Sequence, residues 1–159
     1  MSTLNPYESF LDGRPVMDVL AETPRAIALL LDKMGSGKAY EAPAPGKWSA
    51  GEIVAHMADC ELVFGFRMRQ TLAEHGPTIQ PFDQEKWAKT YSGIEPKEAL
   101  AAFTALRRWN LLMFEAALPA AADRTMTHPE RGTMTFQTVV ETMAGHDLNH
   151  LGQLRRIAG

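Results

Sequence analysis

Apolar residues recur along this chain in four long stretches at helical spacing, and the last stretch carries histidines among its hydrophobic positions. Val139, Met143, Leu154 and Ile157 fall on one stripe at intervals of three and four, with His146 and His150 inside it. The apolar members of such a stripe face a core, so the two imidazoles face inward with them. An interval of four puts both rings on one helical face, about one turn apart. Two neutral ring nitrogens converging from one face make half of a metal site. The competing reading is a pair of buried histidines, each satisfied by a hydrogen bond.

The other stretches read as follows. Pro15 opens a helical pattern over 15–34, with Thr23-Pro24 as a second possible start and Ile27, Leu30, Leu31 and Met34 as its apolar face. The pattern leaves open whether this is one kinked helix or two. Gly35-Ser36-Gly37 stops it, and residues 35–48 form a loop marked by Pro43, Pro45 and Gly46. Trp48 precedes Ser49-Ala50-Gly51-Glu52, a capping box with Trp48 and Ile53 placed as a hydrophobic staple. The second helix runs from there to about Leu72, with Ile53, His56, Cys60, Val63 and Arg67 on one stripe. Pro96 opens the third, whose inner face is Leu100, Phe103, Leu106, Asn110, Met113 or Phe114, and Ala117, and Pro119 ends it. Thr135 caps the fourth, which continues to about Ile157.

Residues 1–14 look irregular. Residues 74–95 are broken by Gly76-Pro77, Pro81 and Gly93, with room for a short helix around Gln84–Lys89. A connection that long crosses over something rather than turning tightly. Four amphipathic segments without convincing paired strands predict an all-α four-helix bundle. The long crossover between the second and third helices allows an up-down-down-up order.

The chain has 159 residues, suited to a single domain over 1–159 with a substantial core. A net charge of −3 gives no electrostatic reason to expect nucleic acid as a partner. No apolar run approaches a membrane span, and the first ten residues lack the pattern of a signal peptide. The single cysteine, Cys60, excludes an intramolecular disulfide. The expectation is a cytoplasmic protein acting on a small molecule, with neither nucleic acid nor membrane as partner.

A metal on His146 and His150 needs a further ligand, and no His, Cys, Asp or Glu follows His150. His75 lies at a helix end and His128 in a connection, both read as solvated. His56, on the inward stripe of the second helix, is the best third ligand. Three neutral histidines would leave coordination positions for water or substrate. Cys60, four residues after His56, is either a fourth, closing ligand or a small buried apolar residue. Asp59 and Asp147 are candidates to orient an imidazole or act as base, with Glu61 a further base candidate; ordinary salt bridges to Arg67, Arg69, Arg155 or Arg156 are the alternative. Arg67 and Gln153 are candidates to touch a ligand anion, and for Arg67 the alternative is an ion pair with Glu61. Phe82 and Trp87 either cover the open side of the site or simply anchor the crossover, the latter preferred.

Asp147 stands where the zincin motif has its Glu, and no downstream third ligand exists, which argues against a zincin protease. The paired Glu-x-x-His motifs of a di-iron bundle are also missing.

Trp48-Ser49-Ala50-Gly51-Glu52-Ile53-Val54-Ala55-His56, followed by Asp59, Glu61, Arg67 and Arg69, resembles the second helix of the DinB (DinB/YfiT-like) superfamily. His146-Asp147-Leu148-Asn149-His150-Leu151-Gly152-Gln153 resembles that family's last helix. Asn5-Pro6-Tyr7, Thr23-Pro24 and Phe82-Asp83-Gln84-Glu85-Lys86-Trp87 are similar too, so the likeness covers nearly the whole chain. The resemblance implies an up-down-down-up bundle holding a divalent metal on His56, His146 and His150. It implies nickel or zinc, with manganese or iron as further options, and a homodimer. The activities it suggests are those of thiol-dependent S-transferases, such as bacillithiol users, and of a mycothiol-dependent maleylpyruvate isomerase.

Three functions follow. One is a metal-dependent enzyme of thiol S-transferase or hydrolase type, with a low-molecular-weight thiol as a possible cosubstrate. The second is a non-catalytic metal-binding or stress-response module, favoured if Cys60 closes the site. The third is a metal-free bundle with buried histidines.

Overall fold

A computed structural model of the chain describes residues 4–159, apart from the side chain of Ser36. Its elements, in order, are α1 (Glu8–Leu11), α2 (Val16–Lys38), α3 (Ala50–Ala73), α4 (Gln84–Ala88), α5 (Pro96–Ala117), β1 (Thr125–His128), β2 (Gly132–Thr135) and α6 (Phe136–Ala158). The four long helices α2, α3, α5 and α6 make the bundle.

The helix starts follow the local chemistry. Ser49 accepts from the Glu52 amide at 3.2 Å while Glu52 accepts from the Ser49 amide at 2.8 Å, the reciprocal box that fixes the start of α3. Pro96 sits in the first turn of α5, and Thr135 Oγ1 accepts from the Thr138 amide at 3.1 Å to begin α6. The question left open over 15–34 resolves as one helix: α2 runs through Pro24, and the left-handed Gly35 (φ 71°) interrupts it only near its end. Proline has no N–H to give the carbonyl of residue 20. The Arg107 guanidinium of α5 supplies the missing donor, Nη1 to the Leu20 carbonyl at 2.8 Å.

The up-down-down-up order is visible in which residues meet. Along α3 and α5, Gly51 faces Pro96, Glu61 meets Arg107 and Gly65 abuts Asn110, so the two helices run in the same direction. Along α2 and α6, Lys33 and Lys38 reach the carbonyls of Gly159 and Ala158, so these run together as well. Those lysines also place positive charge at the C-terminal end of α6, where unpaired carbonyls favour it. Gly65 is required by close packing: a Cβ there would lie 2.5 Å from Asn110 Oδ1.

Two expectations are corrected. The chain is not free of paired strands: β1 and β2 form an antiparallel hairpin with Met126 opposite Met134, and Thr127 forms a parallel bridge with Thr78 of the crossover. Each strand has only four residues, too short for alternation to stand out. Within residues 1–14, Glu8–Leu11 form a single helical turn; residues 1–3 lie outside the described residues. The crossover helix α4 forms where it was expected. Among the described residues no helix is long and apolar enough to cross a membrane.

Candidate metal centre

The inward stripes of α3 and α6 bring His56, His146 and His150 together in the interior, all three buried. His146 Nε2 lies 3.2 Å from His56 Nε2 and 3.0 Å from His150 Nε2. Nitrogens about 2.0–2.1 Å from one ion are separated by about 3.0–3.4 Å in octahedral or tetrahedral arrangements. Two of the three separations therefore match those between ligands of a single divalent ion, and all three ligand atoms lie within 4.8 Å of one another.

The protonation states agree. His150 Nδ1 lies 2.8 Å from Gln153 Oε1, an acceptor, so the ring proton sits on Nδ1 and Nε2 presents a lone pair. Burial, followed by the nearby His150, pushes His56 down to about 4. Burial, with His150, His56 and Arg107 adding to it, holds His146 well below the ordinary imidazole value. Burial also lowers His150, against opposing pulls from Gln153 and Asp147. All three rings are neutral at neutral pH, the form that binds a metal.

Cys60 turns inward, its Sγ 3.5 Å from His56 Nε2 and 4.0 Å from His146 Nε2. Burial, then Glu61, Asp59 and Asp147, push its thiol far above the usual range, so without a cation it stays protonated. Aromatic rings enclose the imidazoles: Trp48 packs 5.0 Å from His56, and Tyr7 meets His146 edge-on at 5.3 Å. Tyr7 comes this close because Gly145 has no side chain; a Cβ there would lie 2.5 Å from the Tyr7 carbonyl oxygen.

Two cavities flank the cluster. One, of about 680 Å³, is lined by His56, His150, Trp48, Lys47 and Arg156. The other, of about 280 Å³, is lined by His146, Cys60, Arg67, His128 and Arg131. His56 and His150 line the larger cavity and His146 the smaller.

The carboxylates are placed differently from expectation. Neither Asp59 nor Asp147 bonds an imidazole. Asp59 accepts from the Tyr91 hydroxyl at 2.8 Å. Asp147 takes both Nη groups of Arg107, at 2.5 and 3.0 Å, and Glu61 Oε1 accepts from the same guanidinium at 2.7 Å. Glu61 thus pairs with Arg107 rather than Arg67, and Asp147 with none of the arginines considered from sequence. Burial opposes the charge on Arg107, but Asp147 and Glu61 outweigh it and hold the guanidinium protonated. Gln153 orients His150 instead of meeting an anion. His75 is exposed, as expected, whereas His128 is buried on the hairpin. Phe82 lines the smaller cavity, and Trp87 packs on it 4.9 Å away as an anchor of the crossover.

Arg107 is the residue that sequence reasoning missed. It lies four after Phe103 and three before Asn110, squarely on the α5 stripe. That place on an apolar stripe was the one signal, since an arginine is kept there only with buried partners.

The profile of the DinB superfamily matches residues 20–154. A protein of Oceanobacillus iheyensis, named as a candidate metal-dependent hydrolase, is 30% identical over 111 residues, covering 69% of this chain and 64% of its own length. A Bacillus cereus (strain 03BB102) protein with the same description is 28% identical over 159 residues, covering 94% of this chain and 91% of that one. Among solved structures, YfiT of Bacillus subtilis, described as a candidate metal-dependent hydrolase with an unusual four-helix-bundle topology, superposes with a TM-score of 0.79 at 22% identity. That match covers 89% of this chain and 84% of YfiT, and establishes the shared fold.

Proposed function

The chain belongs to the DinB superfamily, and from that premise we propose that it is a divalent-metal-dependent enzyme of hydrolase or thiol S-transferase type. The observation that carries the reading is the convergence of three imidazole nitrogens, 3.0 and 3.2 Å apart, on rings that line two cavities. His56, His146 and His150 hold the ion, zinc or nickel by the chemistry of an all-nitrogen set. When bound, the ion supplies a Lewis acid that favours the deprotonated form of a water or a cosubstrate thiol. Gln153 fixes the His150 tautomer, and Trp48 and Tyr7 keep bulk water from the rings. Arg107 clamps α3 to α6 through Glu61 and Asp147, which keeps ligands from two helices in register. The test is metal content by elemental analysis, then ester hydrolysis and thiol conjugation to epoxides before and after chelation. Activity lost on chelation and regained with zinc or nickel supports the reading.

Cys60 favours a second reading, a closed and non-catalytic metal module, because its sulfur lies within reach of two of the rings. Stoichiometric metal, together with activity indifferent to chelation, would favour it.

The homodimer belongs to the same proposal. Leu62 and Phe66 of α3 and Trp109 and Leu112 of α5 are 54, 67, 62 and 52% exposed on the outer face of the α3–α5 pair. Large side chains clustered on one face suit a second copy of the chain better than solvent. Phe66→Glu combined with Trp109→Glu is expected to give a monomer by light scattering.

A further inference from the structure

Arg67 is 7% exposed on α3, and the carboxylate that sequence offered it, Glu61, is engaged by Arg107 and Asn110. Its hydrogen bond is to a neutral group, Nη2 to the Gln80 carbonyl at 2.5 Å, and its guanidinium lies 5.9 Å from the centre of the Phe82 ring. Among the described residues no carboxylate stands within ion-pairing distance of Arg67 or of Arg131. A buried cation without a counter-charge is costly, and an anion brought by a ligand would relieve that cost at Arg67.

The space beside it fits that role. Arg67, Arg131 and His128 line the 280 Å³ cavity that also reaches Cys60 and His146. His128 Nδ1 accepts from the Glu130 amide at 3.1 Å, which leaves the ring proton of the neutral imidazole on Nε2 as a further donor. Glu130 is the acidic side chain on the wall, and it is exposed. Phe64, Met126 and Val139 add apolar surface to its wall. A volume this small admits a small ligand only.

We propose that this cavity is a substrate subsite for a carboxylate on a short apolar body, with Arg67 and Arg131 gripping the carboxylate and the far end of the molecule reaching His146. The far end rests on the metal-dependent reading; the anion grip stands on Arg67 and Arg131 themselves. A planar guanidinium matches a carboxylate with two parallel hydrogen bonds, and a second cation at the rim strengthens the match.

The experiment titrates the metal-loaded protein with benzoate, with its neutral isostere benzamide and with inorganic phosphate by calorimetry. Benzoate is expected to bind at least tenfold more tightly than benzamide. Arg67→Gln should weaken benzoate at least tenfold while metal content is unchanged. Arg131→Gln, an exposed change that puts no core contact at risk, should weaken it severalfold. Benzoate binding should survive chelation. Absent benzoate binding, equal affinity for benzamide, tighter binding of phosphate, or affinity indifferent to both variants would each overturn the subsite. Binding lost on chelation but kept in Arg67→Gln would place the carboxylate on the ion, overturning the subsite and leaving the metal reading intact. A protein that takes up no zinc or nickel when either is supplied, yet binds benzoate through Arg67, would leave the subsite standing and remove the metal reading.

Discussion

The Arg107 guanidinium lies flat against the Asp147 carboxylate, Nη1 to Oδ2 at 2.5 Å and Nη2 to Oδ1 at 3.0 Å, one residue along α6 from His146. With Glu61 and the Leu20 carbonyl also on this guanidinium, one side chain of α5 bonds to α2, α3 and α6. Replacing it by Met leaves two buried carboxylates without their cation, and breaking a buried pair from one side costs about 3–5 kcal/mol. Arg107→Met is therefore expected to lower the urea midpoint by an amount corresponding to that loss. Arg107→Lys, which keeps the charge but not the two-pronged geometry, should fall between Met and the native residue.

Metal retention would separate the proposed ligands from the residues that support them. His146 Nε2 approaches both of the other ring nitrogens, so His146→Ala should leave less than a tenth of the native metal content after gel filtration. Gln153→Met removes only the acceptor that fixes the His150 tautomer, and loss of such a partner weakens metal binding about 10–100-fold. Competition with a coloured chelator reads both. Equal retention in native protein and Gln153→Met would show that the Gln153 contact does not tune the site.

The bundle was legible because its period is long and repeated, and because Ser49, Pro96 and Thr135 announce helix starts by local chemistry. The histidines were legible for the same reason, since an imidazole on an apolar stripe points where its neighbours point. The hairpin escaped because four-residue strands carry too little alternation, and its loss misplaced His128 in solvent. Arg107 escaped because arginine is surface-seeking by default, and only the tertiary meeting of Glu61, Asp147 and a proline-orphaned carbonyl makes its burial favourable. Which carboxylate pairs with which arginine depends on crossing helices, and residue spacing along any one of them does not contain it.

Packing between α3 and α5 offers a third check. An added methyl at Gly65 would meet Asn110 Oδ1 at 2.5 Å. Asn110 is not free to move, because Nδ2 bonds Glu61 at 2.8 Å and Oδ1 accepts from Arg69 at 2.8 Å. Gly65→Ala should therefore destabilise the fold by about 1–3 kcal/mol, against the small gain alanine gives in an open helix. Urea unfolding followed by circular dichroism measures it.

Cys60 distinguishes an open site from a closed one. A thiolate completing four ligands would lose much of the metal affinity when replaced by Ser, whose oxygen is a harder and more basic donor. A neighbouring thiol outside the coordination shell would not. With the three rings lining two cavities, the expectation is that Cys60→Ser binds zinc within about threefold of the native protein, a difference below 1 kcal/mol. A hundredfold loss would favour the non-catalytic module.

Acid should loosen the metal-free protein through the same three rings. In the fold His56 titrates near pH 4, against 6.5 for a free imidazole. Above pH 6.5 the ring is neutral whether the chain is folded or not, and pH has no effect through it. Between 6.5 and 4 the unfolded chain takes up a proton that the fold refuses, so stability falls as pH falls, and below 4 the loss is complete. The depressed His146 and His150 act in the same direction. His56 alone contributes on the order of 3 kcal/mol across that window. Melting temperatures of chelator-treated protein from pH 8 to 4 should decline below 6.5, and His56→Gln should flatten the decline. Zinc should raise the whole curve at pH 7 and lose its effect as protons displace it, since ligation requires the neutral rings. A melting temperature independent of pH in the metal-free protein would mean that the imidazoles are solvated, and the convergent site would fail with that result.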